Sequence, residues 1–164
     1  MNVRSLLPKI DMVRIWAKST SADIMVLSET WLSRSTPDSH IYLDADRCAK
    51  GGGVAIYVKN TFQATVQLSK SVPKQFELLV LKVEFTKSCV MTVGGCYRPP
   101  SALKDTLLSL SDCLSIINYN DLLLMGDLNW DWLTPASDSF TCFCDSALLA
   151  QIIDSPTRQN PKRP

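Results

Sequence analysis

The sequence predicts an α/β (α+β) fold of layered sheets and helices. Three observations carry this. Short apolar runs bounded by polar residues or glycine, Ile24-Met25-Val26-Leu27 and Leu122-Leu123-Leu124-Met125, suit buried strands. Stretches with apolar residues at helical spacing precede each of them. A series of strand candidates lies between, so strands and helices alternate only in part. The chain of 164 residues, 46% hydrophobic and 20% charged, is long enough for one domain with a real core. This composition excludes a disordered polyelectrolyte. No window of about 18 residues is both apolar and free of charge, which argues against a membrane span. Arg4, Lys9, Asp11, Arg14 and Lys18 interrupt any signal-peptide apolar core.

The spacing of Ile10, Val13, Trp16 and Ala17 predicts a helix over 5–18, with Pro8 tolerated in its first turn. Residues 24–27 form the first strand. The polar stretch 33–50, with Pro37, reads as a loop. Gly51-Gly52-Gly53 opens a second strand, Val54-Ala55-Ile56-Tyr57-Val58. Residues 76–85 and 89–97 are the third and fourth strands. Arg98-Pro99-Pro100 ends the latter, because proline cannot donate to a ladder. Ser101 is the expected N-cap of a helix over 102–118, with Leu103, Leu107, Leu110, Leu114 and Ile117 on one stripe. Residues 122–125 form a buried fifth strand ending at Gly126. A last helix covers 139–150, and the tail from Ser155 is loose.

Net charge is +1, yet the charges are segregated. Residues 1–104 hold fourteen Lys or Arg against eight acids, and residues 105–154 hold eight Asp and no Lys or Arg. This suits an acidic cation site beside a basic phosphate-facing surface. The plainer reading is aspartates used as caps and turns on a solvated face. The six cysteines form no Cys-x-x-Cys pair, so reduced thiols of an intracellular protein are expected rather than staples. Cys142 and Cys144 lack the usual zinc spacing.

Two carboxylates share a context. Glu29 follows the strand 24–27, and Asp127 follows the strand 122–125. If these strands are parallel neighbours, both acids meet at one carboxyl-end rim, where layered α/β folds collect ligands. Asn129, two residues past Asp127, would face the same way in an extended segment. Carboxylates, an amide oxygen and water suit Mg²⁺. The alternatives are an Asx turn at Asp127 and a solvated strand end at Glu29. Tyr97 and Arg98 end another strand, where a hydroxyl and a guanidinium fork could meet phosphate or simply pack the rim. Asn2 by itself would pass for a frayed end. Other patterns fail. Gly51-Gly52-Gly53 precedes a strand and lacks the Lys of a nucleotide loop. There is no Gly-x-Ser-x-Gly elbow. His40 reads as a surface residue, and Trp130 and Trp132 could stack on bases or pack internally.

In order, Asn2-Val3-Arg4-Ser5-Leu6, Glu29-Thr30-Trp31-Leu32, Gly51-Gly52-Gly53-Val54-Ala55-Ile56-Tyr57, Tyr97-Arg98-Pro99-Pro100 and Gly126-Asp127-Leu128-Asn129 closely resemble the endonuclease/exonuclease/phosphatase superfamily. Within it they look most like the apurinic-type endonuclease domain of non-LTR retrotransposons, as does Pro156-Thr157-Arg158. The resemblance covers essentially residues 1–164 as a single domain. It implies a four-layer α/β/β/α sandwich of two mixed sheets and a metal-dependent phosphodiesterase that nicks DNA. The metal would be Mg²⁺, with Mn²⁺ as substitute. Asn2 and Glu29 would be the metal residues. Tyr97 would meet the scissile phosphate. Asp127 would position or deprotonate the attacking water, and Asn129 would orient Asp127, the water or the phosphate. Arg98 would contact phosphate or DNA.

The resemblance also implies a nuclear site of action, a monomer, no membrane, and a place in a longer polyprotein with reverse transcriptase. Lipid or inositol phosphatases and RNA deadenylases share the fold class. The sequence departs from the family's pattern at both ends. Only Met1 precedes Asn2 where a first strand is expected. The late Asp and Ser-Asp-His elements do not occur, and His40 is too early to replace that histidine. The expectation is an impaired enzyme of marginal stability. The rival readings are an inactive fragment with residual metal or DNA binding, and a plain structural domain.

Overall fold

A computed structural model of the chain describes residues 1–32, 44–45, 52–103, 105–130, 138–155 and 157. Its contacts divide into two units: Met1–Leu103 with Ile117–Asn129, and Lys104–Ile116 with Trp130–Pro164.

The first unit is built on two sheets. In one, β1 (Ile24–Ser28) and the two-residue β2 (Asp44–Ala45) flank β3 (Val54–Val58), both antiparallel to it. In the other, the order is β4 (Gln63–Val72), β5 (Phe76–Thr86), β6 (Cys89–Tyr97) and β7 (Leu122–Asp127). The first three run antiparallel, and β7 is parallel to β6. Asn2 adds a parallel bridge to Ser28, so both sheets are mixed.

The β-branched and leucine-rich runs form strands because both faces can be covered. Val26, Val54 and Ile56 of one sheet pack against Leu79, Leu81, Val83, Val93 and Tyr97 of the other. Each such side chain, fully buried, contributes roughly 1.5–3 kcal/mol of transfer free energy. Gly95 lets the sheets close: a Cβ there would lie 2.7 Å from Val54 Cγ1 and 3.0 Å from Val26 Cγ1. A 3₁₀ turn, Leu7–Lys9, leads into α1 (Ile10–Thr20). Val13 of this helix joins Val3, Leu6, Met25, Leu27 and Leu32 in a second buried cluster.

In the second unit, α2 (Thr106–Ser115) buries Leu107, Leu110 and Leu114. It packs on α3 (Asp138–Ser146), which buries Phe140, Phe143 and Cys144. Trp130 stacks on Phe140 with ring centroids 5.5 Å apart, which is the packing alternative to base stacking. Among the described residues no helix is long and apolar enough to cross a membrane.

Several sequence expectations need correction. The first helix starts later than residue 5, because Pro8 sits in the preceding 3₁₀ turn; Trp16 is exposed. The helix expected over 102–118 begins only at Thr106, with Asp105 rather than Ser101 at its N-cap. Pro99 and Ala102 close a turn instead, Ala102 N–H donating to Pro99 O at 3.0 Å, and Leu103 is exposed. The ten residues of β4 were not anticipated. Its Thr, Gln, Ser and Lys residues face mostly water on an edge strand, so the apolar signal is weak. Strand β7 is half-buried rather than fully buried, since among the described residues only β6 pairs with it. The last helix is shorter than 139–150. Of the expected loop 33–50, only Asp44–Ala45 is described, and it is a strand. His40, Gly51, Trp132 and Arg158 lie outside the described residues.

Candidate active site

Strands β1 and β7 are not the parallel neighbours on which the sequence argument was conditional; they belong to different sheets. Their carboxyl ends nevertheless share one rim, because the sheets stack face to face. Glu29 follows the last residue of β1. Asp127 ends β7, and its register partner Tyr97 ends β6. Asn2 reaches the same rim through its bridge to Ser28.

Asn2 is not a frayed end. Met1 O accepts from Ser28 N–H at 2.9 Å, and Val3 N–H donates to Ser28 O at 2.9 Å. The Met1 ammonium donates to Val26 O at 2.7 Å. Burial holds that amine's pKa below its usual value, with the Asp127 charge opposing. From this anchored backbone, Asn2 Nδ2 donates to Glu29 Oε1 at 2.7 Å and to Asp127 Oδ2 at 2.9 Å. One neutral amide thus joins two carboxylates that would otherwise repel. Asn2 Oδ1 is buried and accepts no hydrogen bond.

Tyr97 is buried, 6% exposed. Its pKa is pushed up to about 12, first by burial, then by the Glu29 charge and the hydrogen bond to Glu29, with Asp127 and Glu77 adding to it. The phenol is therefore a neutral donor at physiological pH.

Asn129 arrives differently from the extended geometry expected of it. Its φ is +46°, and its N–H donates to Asp127 Oδ1 at 3.2 Å, an Asx turn. Its Nδ2 donates to Arg98 O at 2.8 Å. The turn explanation and the site explanation coincide: Asp127 has one oxygen held by Asn129 and the other by Asn2. Gly126 makes this possible. Its φ is +147°, and a Cβ would lie 1.8 Å from Cys96 O.

Arg98 was expected to meet phosphate, but the structure turns it inward. It is 5% exposed. Its guanidinium donates to Leu128 O and Asn129 O, each at 3.4 Å, and to Ala102 O. Burial lowers its pKa. In this position it holds the turn that carries Asp127 and Asn129.

One acid was missed by the sequence reading. Glu77 of β5 is fully buried, stands opposite Tyr97 in register, and accepts from Gly53 N–H. The available signal was a carboxylate inside the apolar run Phe76-Glu77-Leu78-Leu79.

Residues 1–147 match the Endonuclease/Exonuclease/phosphatase family. The chain belongs to that family. Similar solved structures include an AP endonuclease from Archaeoglobus fulgidus, 17% identical with a TM-score of 0.60, covering 90% of this chain and 67% of that one. The 3′ phosphatase NExo from Neisseria, bound to a product DNA hairpin, is 17% identical with a TM-score of 0.58, covering 90% and 68%. Truncated TDP2 from Caenorhabditis elegans is 16% identical with a TM-score of 0.54, covering 78% and 57%. These likenesses establish the endonuclease/exonuclease/phosphatase fold. The chain spans 57–68% of the length of these structures. No curated protein matches it.

Members of the endonuclease/exonuclease/phosphatase family generally use a divalent metal. The donors at this rim fit one. Glu29 and Asp127 supply carboxylate oxygens of the kind hard cations prefer; Asn2 turns its Nδ2 to both acids, and its Oδ1 is buried without a partner. Among the described residues no group of three or more His, Cys, Asp or Glu could hold an ion.

Proposed function

We propose that this chain carries the metal-binding and water-positioning part of a phosphodiester-hydrolysing site, of the kind found in non-LTR retrotransposon endonucleases, and that its substrate is DNA. The observation that carries this reading is the Asn2 amide, which draws Glu29 and Asp127 from separate sheets to one rim. Glu29 and Asn2 Oδ1 would hold Mg²⁺, with Mn²⁺ as substitute. When bound, the ion supplies Lewis-acid stabilisation of the charge that grows on phosphate. Asp127 takes the proton of the attacking water, with its two oxygens fixed by Asn2 and Asn129. Tyr97 offers its neutral hydroxyl to the phosphate region. DNA as substrate is supported by an AP endonuclease and a DNA-bound phosphatase among the structural neighbours. The retrotransposon branch rests on the Glu29-Thr30-Trp31-Leu32 and Tyr97-Arg98-Pro99-Pro100 wording, and a nuclear site of action follows from it.

A second reading, metal and DNA binding without turnover, is favoured by one observation. Arg98 is buried and donates to the Leu128, Asn129 and Ala102 carbonyls instead of standing exposed at the rim. Two assays separate these readings. Mn²⁺ should raise the melting temperature of the chain but not of Glu29→Ala. Plasmid nicking should need both the metal and Asp127. Metal stabilisation without nicking selects the binding reading.

A further inference from the structure

Glu77 is a fully buried carboxylate in the middle of the packed unit, an expensive group to keep in a core strand. What it touches suggests why it is there. It lies in β5 of the four-stranded sheet, and it accepts from the N–H of Gly53, which leads into β3 of the other sheet. Gly52 and Gly53 have φ of +91° and +96°, a left-handed bend that presents their carbonyls sideways. Those carbonyls are used. Gly53 O accepts from Thr30 N–H at 3.4 Å, and Gly52 O accepts from Trp31 N–H at 3.1 Å. On its other side, Glu29-Thr30 is held by Ser5 N–H and Leu6 N–H, which donate to Glu29 O and Thr30 O at 2.8 Å each. Between these two sets of bonds, Glu29 has φ of +56°, which an ordinary L-residue adopts only when its surroundings require it. That conformation brings its carboxylate to Asn2 Nδ2.

We infer that Glu77 is a positioning residue for the divalent-cation site: by fixing the Gly52-Gly53 bend it holds Glu29 in the left-handed conformation that lets its carboxylate reach the rim. The inference rests on the proposed metal role of Glu29. The contact that carries this role is the one to Gly53 N–H. Glu77 acts through the Gly52-Gly53 bend and the Thr30 and Trp31 amides, and loss of a group that orients a metal ligand costs about 10- to 100-fold in metal affinity.

The test uses three variants of the full chain. Glu77→Gln keeps an acceptor for Gly53 N–H. Glu77→Met keeps the length and removes the acceptor. Glu77→Ala is the second acceptor-free variant, should Glu77→Met fail to fold. Two readouts are taken on protein that melts cooperatively: hydrogen exchange of the Thr30 and Trp31 amides, and Mn²⁺ affinity by calorimetry. In the acceptor-free variant both amides should exchange about tenfold faster or more, while amides at the β5–β6 centre keep their protection. Mn²⁺ affinity should fall about 10- to 100-fold. Glu77→Gln should restore both. Unchanged exchange and affinity in the acceptor-free variant would overturn the inference, and so would failure of Gln to restore them. If the unmodified chain binds Mn²⁺ no better than Glu29→Ala does, the metal reading falls by itself. The exchange arm then still decides whether Glu77 holds the Glu29 segment.

Discussion

Asn2 Nδ2 and Asp127 Oδ2, 125 residues apart in sequence, are joined by a hydrogen bond of 2.9 Å. The same nitrogen holds Glu29 Oε1 at 2.7 Å. Two acids that repel are thereby kept side by side, and the amide oxygen stays buried without a hydrogen-bond partner. Asn2→Ala should lose roughly 2 kcal/mol of stability, within the range for hydrogen bonds to charged groups. It should also lose divalent-ion binding. Urea unfolding with and without Mn²⁺ measures both. If the loss of stability is partly recovered by Mn²⁺, the ion is binding through the two carboxylates alone.

Arg98 holds Leu128 O, Asn129 O and Ala102 O from a buried position. Arg98→Leu leaves those acceptors in the core, at a cost of about 3 kcal/mol. Arg98→Lys should recover only part, since an ammonium cannot reproduce the planar fork. Denaturation midpoints of the two variants check this. A surface phosphate contact would show the opposite pattern: little effect on stability, and weaker DNA binding with a shallower salt dependence.

Gly126→Ala should be among the most damaging single-methyl additions, at about 4 kcal/mol or more, because its Cβ would overlap the Cys96 carbonyl. Gly94→Ala is the control. Its Cβ would meet Leu124 Cδ1 at 2.8 Å, the end of a side chain that can move. Soluble yield and melting temperature of the two variants should differ plainly.

Tyr97 ionises near 12 in the folded chain, against 10.0 for a free phenol. Raising a folded-state pKa means that the stability it represents is complete below the unfolded value. It is lost as pH rises from 10 through about 12, because the unfolded chain gives up the proton first. Tyr97→Phe should therefore flatten the fall in stability across that window. Urea midpoints at about pH 9 and about pH 11 test it. An equal fall in both proteins would mean that Tyr97 does not titrate differently on folding.

Much of the fold was legible because local chemistry and tertiary role agreed. Ile24–Ser28, Val54–Val58, Phe76–Thr86 and Cys89–Tyr97 are apolar runs that became core strands. Edge strand β4 was missed because a solvated strand carries little apolar signal. The α2 start was misplaced because Ala102 O is taken by Arg98 rather than by a helix. The rim acids were suggested by strand-end position, but by an incorrect route: they meet by stacking of two sheets, not by pairing of two strands. Arg98 and Glu77 show the limit most clearly. Sequence gives a charge, and only the fold shows whether it faces the rim or the backbone.

The most direct test is nicking of supercoiled plasmid in Mg²⁺ by the 164-residue chain, its Asp127→Ala form and an EDTA control. The expected result is slow nicking that EDTA abolishes and that Asp127→Ala lowers about 10²- to 10⁴-fold, the usual worth of a positioned acid–base group. Nicking that persists equally in EDTA or in Asp127→Ala would contradict the proposed site. Folded protein without any nicking would contradict turnover by this chain and leave a binding module.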